Sequence, residues 1–180
     1  MMRHRLFSRA RCSLWPGLLF SRPVKPRKPG IPVGYSLELD SNLQGFIHHP
    51  VGYPIEYRAI TPPVDHSSGH THHDQAMGLY FECAEYYPPG SYLEVCIRVR
   101  GESCMFSGQV VLVKNCDEYF ETGIWLECRT QANRLRIVEQ ICHIESYLRH
   151  KRQYEGPFVS RENVAREWIN RFAASFPSFG

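Results

Sequence analysis

The feature that most constrains this sequence is a close series of short segments in which apolar and polar residues alternate. Segment 92–100 is the clearest case, because its apolar residues occupy every second position, at Leu93, Val95, Ile97 and Val99. Alternation of this kind is typical of a strand with one buried face. The other segments with strand character are 51–60, 78–83, 105–114 and 119–127. No strand–helix–strand unit interrupts the series, so the pattern predicts an antiparallel barrel or sandwich of roughly five or six strands.

The spacing of apolar residues changes after residue 130. Apolar residues then recur every three or four positions, which is typical of an amphipathic helix. The predicted buried stripe of this helix consists of Ile137, Ile141, Ile144 and Leu148, flanked by Leu135, Val138 and Cys142. Thr130 is its expected N-terminal cap, and Gly156 and Pro157 are expected to end it. A second helix is predicted from about Ser160, with Trp168 on its buried side.

These patterns divide the chain into three parts. Residues 1–32 are a basic, proline-rich leader that we expect to be disordered. Residues 33–128 contain the predicted β domain, and residues 129–180 form a helical extension that we expect to pack on the β domain or on a partner. The leader contains an apolar patch at residues 14–20, which is too short to span a bilayer and is broken by proline and glycine. We therefore expect no stable membrane insertion.

The distribution of charge argues against a nucleic-acid-binding role for the folded part. The chain carries 21 Lys and Arg residues and 18 Asp and Glu residues. Eight of the basic residues lie within residues 1–30, where there is no acidic residue, so acidic residues outnumber basic ones in the remainder. A nucleic-acid-binding domain usually carries a basic surface instead. We therefore expect no nucleic-acid partner.

Cysteine usage indicates a reducing compartment. The seven cysteines are an odd number, no two of them follow the C-x-x-C spacing of zinc and redox motifs, and most lie in apolar segments. Cysteines in such positions act as small apolar residues, which is common in cytosolic proteins. The sequence therefore predicts a cytoplasmic protein with Cys83 and Cys96 in its core.

Three local matches in a fixed order, each made of two short segments, relate segment 46–126 to a known family. They are FIHHP (46–50), PIE (54–56), GLYF (78–81), PPGSYLEV (88–95), FSGQVV (106–111) and ETGIWL (121–126). In this order they resemble the PilZ domain, a bacterial module that typically binds cyclic di-GMP, and the tail resembles a C-terminal helical extension of some members. The resemblance implies a PilZ-like antiparallel six-stranded β-barrel followed by two C-terminal α-helices.

The resemblance also implies where a cyclic di-GMP pocket would lie. Typical members hold the ligand with an R-x-x-x-R segment and a D/N-x-S-x-x-G segment, and the guanidinium groups of the first pair with phosphate. In this chain the two arginine positions fall on Gln44 and His48. The second segment falls on His73, Gln75 and Gly78, so that only the glycine is kept.

The missing arginines predict weak or absent binding of cyclic di-GMP. A charge-assisted hydrogen bond contributes about 1.5–3 kcal/mol, so two lost contacts weaken binding by roughly 10²–10⁴-fold. The imidazole groups of His48, His49 and His73 carry a charge only at mildly acidic pH. Arg58 is a candidate substitute for a pocket arginine, although its expected position is the exposed face of the first predicted strand.

A polar loop after this strand is crowded with histidines, namely His66, His70, His72 and His73. Imidazole groups at this density hold zinc or nickel in some proteins. No downstream ligand set accompanies them in the sequence, so a solvated polar loop is the simpler interpretation and metal binding is the alternative. We predict no bound cofactor.

Catalytic motifs are absent from the sequence: there is no G-x-S-x-G segment, no phosphate-binding loop and no H-E-x-x-H segment. His143 is expected at a helix surface and not in a site. We therefore predict a non-catalytic regulatory or adaptor protein in bacterial cyclic di-GMP-associated signalling, which acts by contact between its C-terminal helices and a protein partner. A cyclic di-GMP receptor with a remodelled pocket and a metal-binding protein built on the histidine loop are the two alternatives.

Overall fold

The computed structural model describes residues 45–62, 77–126 and 128–177. In chain order the elements are β1 (Phe46–His48), β2 (Ile55–Ile60), β3 (Gly78–Cys83), β4 (Tyr92–Val99), β5 (Glu102–Asn115), β6 (Phe120–Leu126), α1 (Arg129–Glu155) and α2 (Arg161–Phe172). The prediction of a β core followed by two C-terminal helices is confirmed. The predicted leader, residues 1–32, lies outside the described residues. Within the described part of the chain, no helix is long and apolar enough to cross a membrane.

The six strands form one sheet in the order β1-β3-β6-β5-β4-β2. Most neighbouring strands are antiparallel, but β1 pairs in parallel with β3. The two strands at the ends of the order, β1 and β2, share no hydrogen-bonded ladder in the described residues. The prediction of an antiparallel six-stranded barrel is therefore correct in the number of strands but not in their pairing, because the sheet is mixed and no ladder among the described residues closes it. The chain crosses from one end of the sheet to the other between β1 and β2, and it returns before β3, which then runs beside β1 in the same direction.

Strand β4 has the predicted buried face. Its four alternating apolar residues are all buried in the main core: Leu93, Val95, Ile97 and Val99. Cys83 and Cys96 are also buried, as predicted. Strand β2 begins directly after Pro54 and lies at an edge of the sheet, which is where proline is tolerated because it cannot donate a ladder hydrogen bond.

A β-bulge changes which way residues face in β5. Strict alternation predicts Val110 and Leu112 on one face. The register shifts between these two residues. Val110 is consequently buried in the main core, whereas Leu112 packs against a separate cluster formed by Phe46 and Tyr80. The prediction for Leu112 is wrong, because an extra residue in one strand moves the following side chains to the other face.

The buried face of helix α1 matches the predicted stripe only in part: Leu148 is buried, and Ile141 and Ile144 pack against the core. Ile137 is 60% exposed, whereas Leu135 and Cys142 are fully buried. The same buried face carries two polar residues, Glu139 and His143. An apolar pattern assigns polar residues to the solvent side. The buried face of α1 is therefore rotated relative to the predicted one, because Glu139 and His143 have hydrogen-bond partners inside the protein.

The C-terminal end of α1 lies where the sequence predicts it, but the N-terminal cap does not. The N-cap position is Cys128, without a side-chain capping hydrogen bond, so the prediction of a Thr130 cap is wrong. Gly156 ends the helix as predicted, with φ of 94° and its amide bonded to the backbone oxygen of Arg152. Glycine is favoured at such a φ because it has no Cβ atom.

Candidate arginine cleft and buried polar cluster

Several residues singled out from the sequence lie outside the described part of the chain. They are Gln44, His73 and Gln75 of the predicted cyclic di-GMP pocket, and His66, His70 and His72 of the histidine loop. The remaining ones are His48, His49, Arg58 and Gly78. Each of these four contacts a different neighbour, namely Tyr80, Glu139, Glu94 and Phe46 in that order.

Gly78 permits a close packing contact inside the sheet. A Cβ atom at this position would lie 2.4 Å from two ring carbons of Phe46 and 2.7 Å from the backbone oxygen of Ile124. Since Cβ atoms do not approach other heavy atoms so closely, only glycine fits beside this ring. The Phe46 ring in turn stacks on Trp125, with ring centroids 4.4 Å apart. Gly78 therefore serves the packing of β1 onto the sheet.

Replacing Gly78 with alanine should destabilise the domain by about 1–3 kcal/mol, which is the usual cost of overpacking. The added methyl group must displace the Phe46 ring. Chemical denaturation of Gly78→Ala, Phe46→Leu and the double variant measures the effect, and the smaller side chain at position 46 should recover part of the loss. A Gly78→Ala variant as stable as the unmodified chain would contradict the close contact.

His48 is partly buried and supplies no charge in place of an arginine. Its ring lies 4.8 Å from the ring of Tyr80, and its Nε2 atom has no hydrogen-bond partner among the described residues. Burial lowers the pKa of His48, and the nearby Glu121 carboxylate opposes this shift only in part. The imidazole is therefore neutral at neutral pH and lacks the fixed charge with which a guanidinium pairs with phosphate.

Arg58 is engaged with Glu94 on the neighbouring strand. The β2–β4 register places the two residues directly opposite each other, and Arg58 Nε donates to Glu94 Oε1 at 2.8 Å. Opposite charges at facing positions of two strands stabilise the pairing. To replace a pocket arginine, Arg58 would have to offer its guanidinium group to a ligand. The contact with Glu94 occupies one side of that group.

A buried polar cluster, made of His49, Glu139 and Cys142, links the loop after β1 to helix α1. His49 Nδ1 lies 2.8 Å from Glu139 Oε1, and His49 Nε2 lies 3.2 Å from the backbone oxygen of Tyr53. Because both ring nitrogens face acceptors, Nε2 donates to Tyr53 and Nδ1 shares one proton with Glu139. Cys142 lies one helical turn after Glu139 and completes the cluster, and all three side chains are buried.

The chemistry of this cluster is that of an internal link and not of a nucleophilic site. Burial raises the pKa of Cys142, and the Glu139 charge raises it further. The thiol therefore stays protonated at neutral pH, whereas a nucleophilic cysteine needs a lowered pKa. The second carboxylate oxygen of Glu139, Oε2, is buried and has no hydrogen-bond partner among the described residues.

His143 extends the polar contacts between α1 and the sheet. Its Nε2 atom donates to the backbone oxygen of His48 at 2.7 Å, and its ring packs near Trp168 and Phe176. The expectation that His143 lies at the helix surface is wrong, since the residue is buried. The sequence contains one signal for this burial: Glu139 and His143 are spaced four residues apart, as the residues of an apolar helical stripe are.

Four arginines line a cleft of about 520 Å³ beside α1, which we call the arginine cleft. Arg149 and Arg152 belong to α1, Arg100 follows β4, and Arg161 is the first residue of α2. The other lining residues are Tyr53, Glu145, Leu148 and Gln153. Since four guanidinium groups accompany one carboxylate, the lining residues of the cleft carry a net positive charge.

Internal contacts hold these guanidinium groups in place and offset only part of their charge. Arg161 Nη2 lies 3.2 Å and Arg100 Nε lies 3.5 Å from the Glu145 carboxylate. Arg149 donates to a backbone oxygen of the loop before β2 at 3.0 Å, and its guanidinium carbon lies 5.6 Å from the ring centre of Tyr53. A guanidinium group carries five N–H donors, so these contacts use only a few of the donors in the cleft.

The arginine cleft was not identifiable as a site from the sequence. Its arginines stand at positions 100, 149, 152 and 161, and no short motif connects them. Basic residues near 149–152 also have an ordinary explanation, because positive charge stabilises the C-terminal end of a helix. Comparison of the chain with protein-family models, with curated proteins and with solved structures found no match.

Proposed function

We propose that this chain is a non-catalytic regulatory domain of the PilZ-like type, which acts by contact with a protein partner and docks an acidic segment of that partner in the arginine cleft. The observation that carries this proposal is the convergence of four arginines, from three parts of the fold, on one cleft that contains a single carboxylate. A concave site of one charge sign concentrates groups of the opposite sign and accelerates their association.

Exposed aromatic side chains lie close to the arginine cleft along the chain. Tyr154, near the end of α1, is 64% exposed, and Phe158, in the connection to α2, is 98% exposed. They stand between Arg152 and Arg161, which both line the cleft. Arginine and aromatic residues are enriched at protein interfaces, where they act as anchors. A partner segment with several acidic residues and one large apolar side chain matches both features.

The contacts of the predicted cyclic di-GMP pocket support action without that ligand. Among its described positions, His48 is neutral and His49 is bonded to Glu139. Gly78 lies against the Phe46 ring. None of these positions offers the permanent positive charge that a doubly anionic dinucleotide requires.

The PilZ-like type and the cytoplasmic, cyclic di-GMP-associated setting are parts of the same proposal. Six strands followed by two helices stand in the chain order that the resemblance implies. The cysteines in the described part of the chain are free thiols, as is usual in a reducing compartment.

A binding assay with two synthetic peptides tests the proposed docking. A fluorescently labelled peptide of aspartate and glutamate residues with one phenylalanine should bind the chain. The matched peptide with asparagine and glutamine in place of the acids should bind at least about tenfold more weakly, since each charge-assisted contact contributes about 1.5 kcal/mol or more. Added salt should weaken the first complex, because the contact is ionic. Equal affinities for the two peptides would contradict the proposal.

Isothermal titration with cyclic di-GMP at neutral pH distinguishes the proposal from the receptor alternative. We expect no binding of cyclic di-GMP at micromolar concentrations, because the predicted pocket lacks the two arginines. Micromolar or tighter binding would show instead that the chain is a cyclic di-GMP receptor with a remodelled pocket.

A further inference from the structure

The buried polar cluster combines three kinds of metal-ligating side chain. Its imidazole, carboxylate and thiol ligand atoms all lie within 4.8 Å of one another. Glu139 and Cys142 are three residues apart on α1, a spacing that places both on one face of the helix. His49 approaches the same point from the loop after β1. Nitrogen, oxygen and sulfur ligands in one site are typical of zinc.

Two details of the cluster point to a cation as its ligand. His49 Nε2 donates to the backbone oxygen of Tyr53 at 3.2 Å, which directs Nδ1 toward Glu139. A metal-ligating histidine usually donates its other ring N–H to a carbonyl or carboxylate in this way, because the contact fixes the ring and its tautomer. In addition, Glu139 is fully buried and its Oε2 atom has no hydrogen-bond partner among the described residues. A buried acceptor without a partner is destabilising, and a cation would satisfy it.

We propose that the cluster binds zinc through three protein ligands, His49 Nδ1, a carboxylate oxygen of Glu139 and Cys142 Sγ, which together fasten α1 to the loop between β1 and β2. The exchange is balanced in charge. The Zn²⁺ ion replaces two protons, the thiol proton of Cys142 and the proton that His49 shares with Glu139. The site is neutral before and after binding, so no net charge is buried. The thiolate and imidazole also disfavour calcium and magnesium, which take oxygen ligands.

Cobalt is the probe for this site, because a thiolate ligand gives Co²⁺ an intense charge-transfer band in the near ultraviolet. The 180-residue chain is stripped of metal with a chelator and titrated with cobalt chloride. We expect the band to saturate at about one cobalt per chain and to disappear when zinc is added. Cys142→Ser should abolish the band, and Glu139→Gln should weaken cobalt binding by about tenfold or more. Cys83→Ser, which alters another fully buried cysteine, should leave the band unchanged.

The histidine loop requires a control of its own. A chain with His70→Ala and His72→Ala should keep the cobalt band, and loss of the band in that chain would assign the metal to the loop and overturn the proposal. Absence of the band in the unmodified chain, or a band that survives Cys142→Ser, would overturn it as well. Circular dichroism of each metal-free variant checks that the variants are folded. Peptide binding is measured separately, so failure of the zinc site leaves the docking proposal standing.

Discussion

Replacing His49 with alanine should lower the free energy of unfolding by about 3–5 kcal/mol, because the substitution leaves a buried carboxylate without its partner. Glu139 is fully buried, and its Oε1 atom lies 2.8 Å from His49 Nδ1. The other carboxylate oxygen already lacks a hydrogen-bond partner among the described residues. Domains are stable by about 5–15 kcal/mol, so this one substitution removes a large part of the total. Chemical denaturation, followed by circular dichroism with a chelator present, measures the loss.

A double variant separates the cost of the orphaned charge from the value of the pair. In His49→Leu with Glu139→Met both polar groups are replaced by apolar ones of similar size, and such exchanges are often neutral or stabilising. We therefore expect the double variant to recover most of the lost stability. Arg98 and Glu56 form an exposed ion pair that serves as the control, and Arg98→Ala should cost less than about 1 kcal/mol. A His49→Ala variant no less stable than Arg98→Ala would show that the buried pair does not hold α1 on the sheet.

Replacing Arg100 and Arg161 together with alanine should weaken binding of the acidic peptide by about 10²-fold or more, since each lost charge-assisted contact costs about 1.5 kcal/mol at the lower end of the usual range. Both side chains are about half exposed and share the carboxylate of Glu145. Without them Glu145 faces the cleft with less compensating charge and repels an acidic peptide. Fluorescence anisotropy at fixed ionic strength measures the change.

Arg166 offers a matched control on the same helix as Arg161. It is exposed on α2 and does not line the cleft. We expect Arg166→Ala to change the affinity little, because salt screens a charge that lies outside the site. Binding should also be independent of pH between about 6 and 8, since arginine does not titrate there. An equal loss in Arg166→Ala, or an increase in affinity below about pH 6.5, would indicate that the cleft is not the site.

The strands and helices could be predicted where local pattern and burial agree. In β4 the alternation of Leu93, Val95 and Ile97 matches the buried face because that strand packs on the core through one side. Gly156 ends α1 because its positive φ favours glycine, which is a property of one residue and its neighbours. Such local rules are readable from the sequence alone.

The pairing of the strands could not be predicted in the same way. Parallel pairing of β1 with β3 depends on the path of the chain between them, and the bulge after Val110 depends on the partner strand. The buried face of α1 has a similar cause. Glu139 and His143 are buried because His49 Nδ1 and the backbone oxygen of His48 lie opposite them in the fold. The spacing of apolar residues along a helix does not predict those partners.

In the candidate sites, too, single residues could be identified from the sequence but their partners could not. His49 was singled out from the sequence by its place in a family pocket, but its partner on α1 lies 90 residues away along the chain. The arginine cleft joins Arg100, Arg149 and Arg161 only after the helices have packed beside the β4–β5 turn. Contacts of this kind arise from tertiary structure, so the chemistry of both sites required coordinates.

Nuclear magnetic resonance of the isotope-labelled chain, titrated with the acidic peptide, tests the central claim most directly because it locates the contact residue by residue. We predict that chemical-shift changes concentrate in the arginine cleft, around Arg100, Arg149 and Arg161. Changes confined to β1 and β3, around His48 and Gly78, would contradict the docking proposal and would place the binding surface at the predicted cyclic di-GMP pocket.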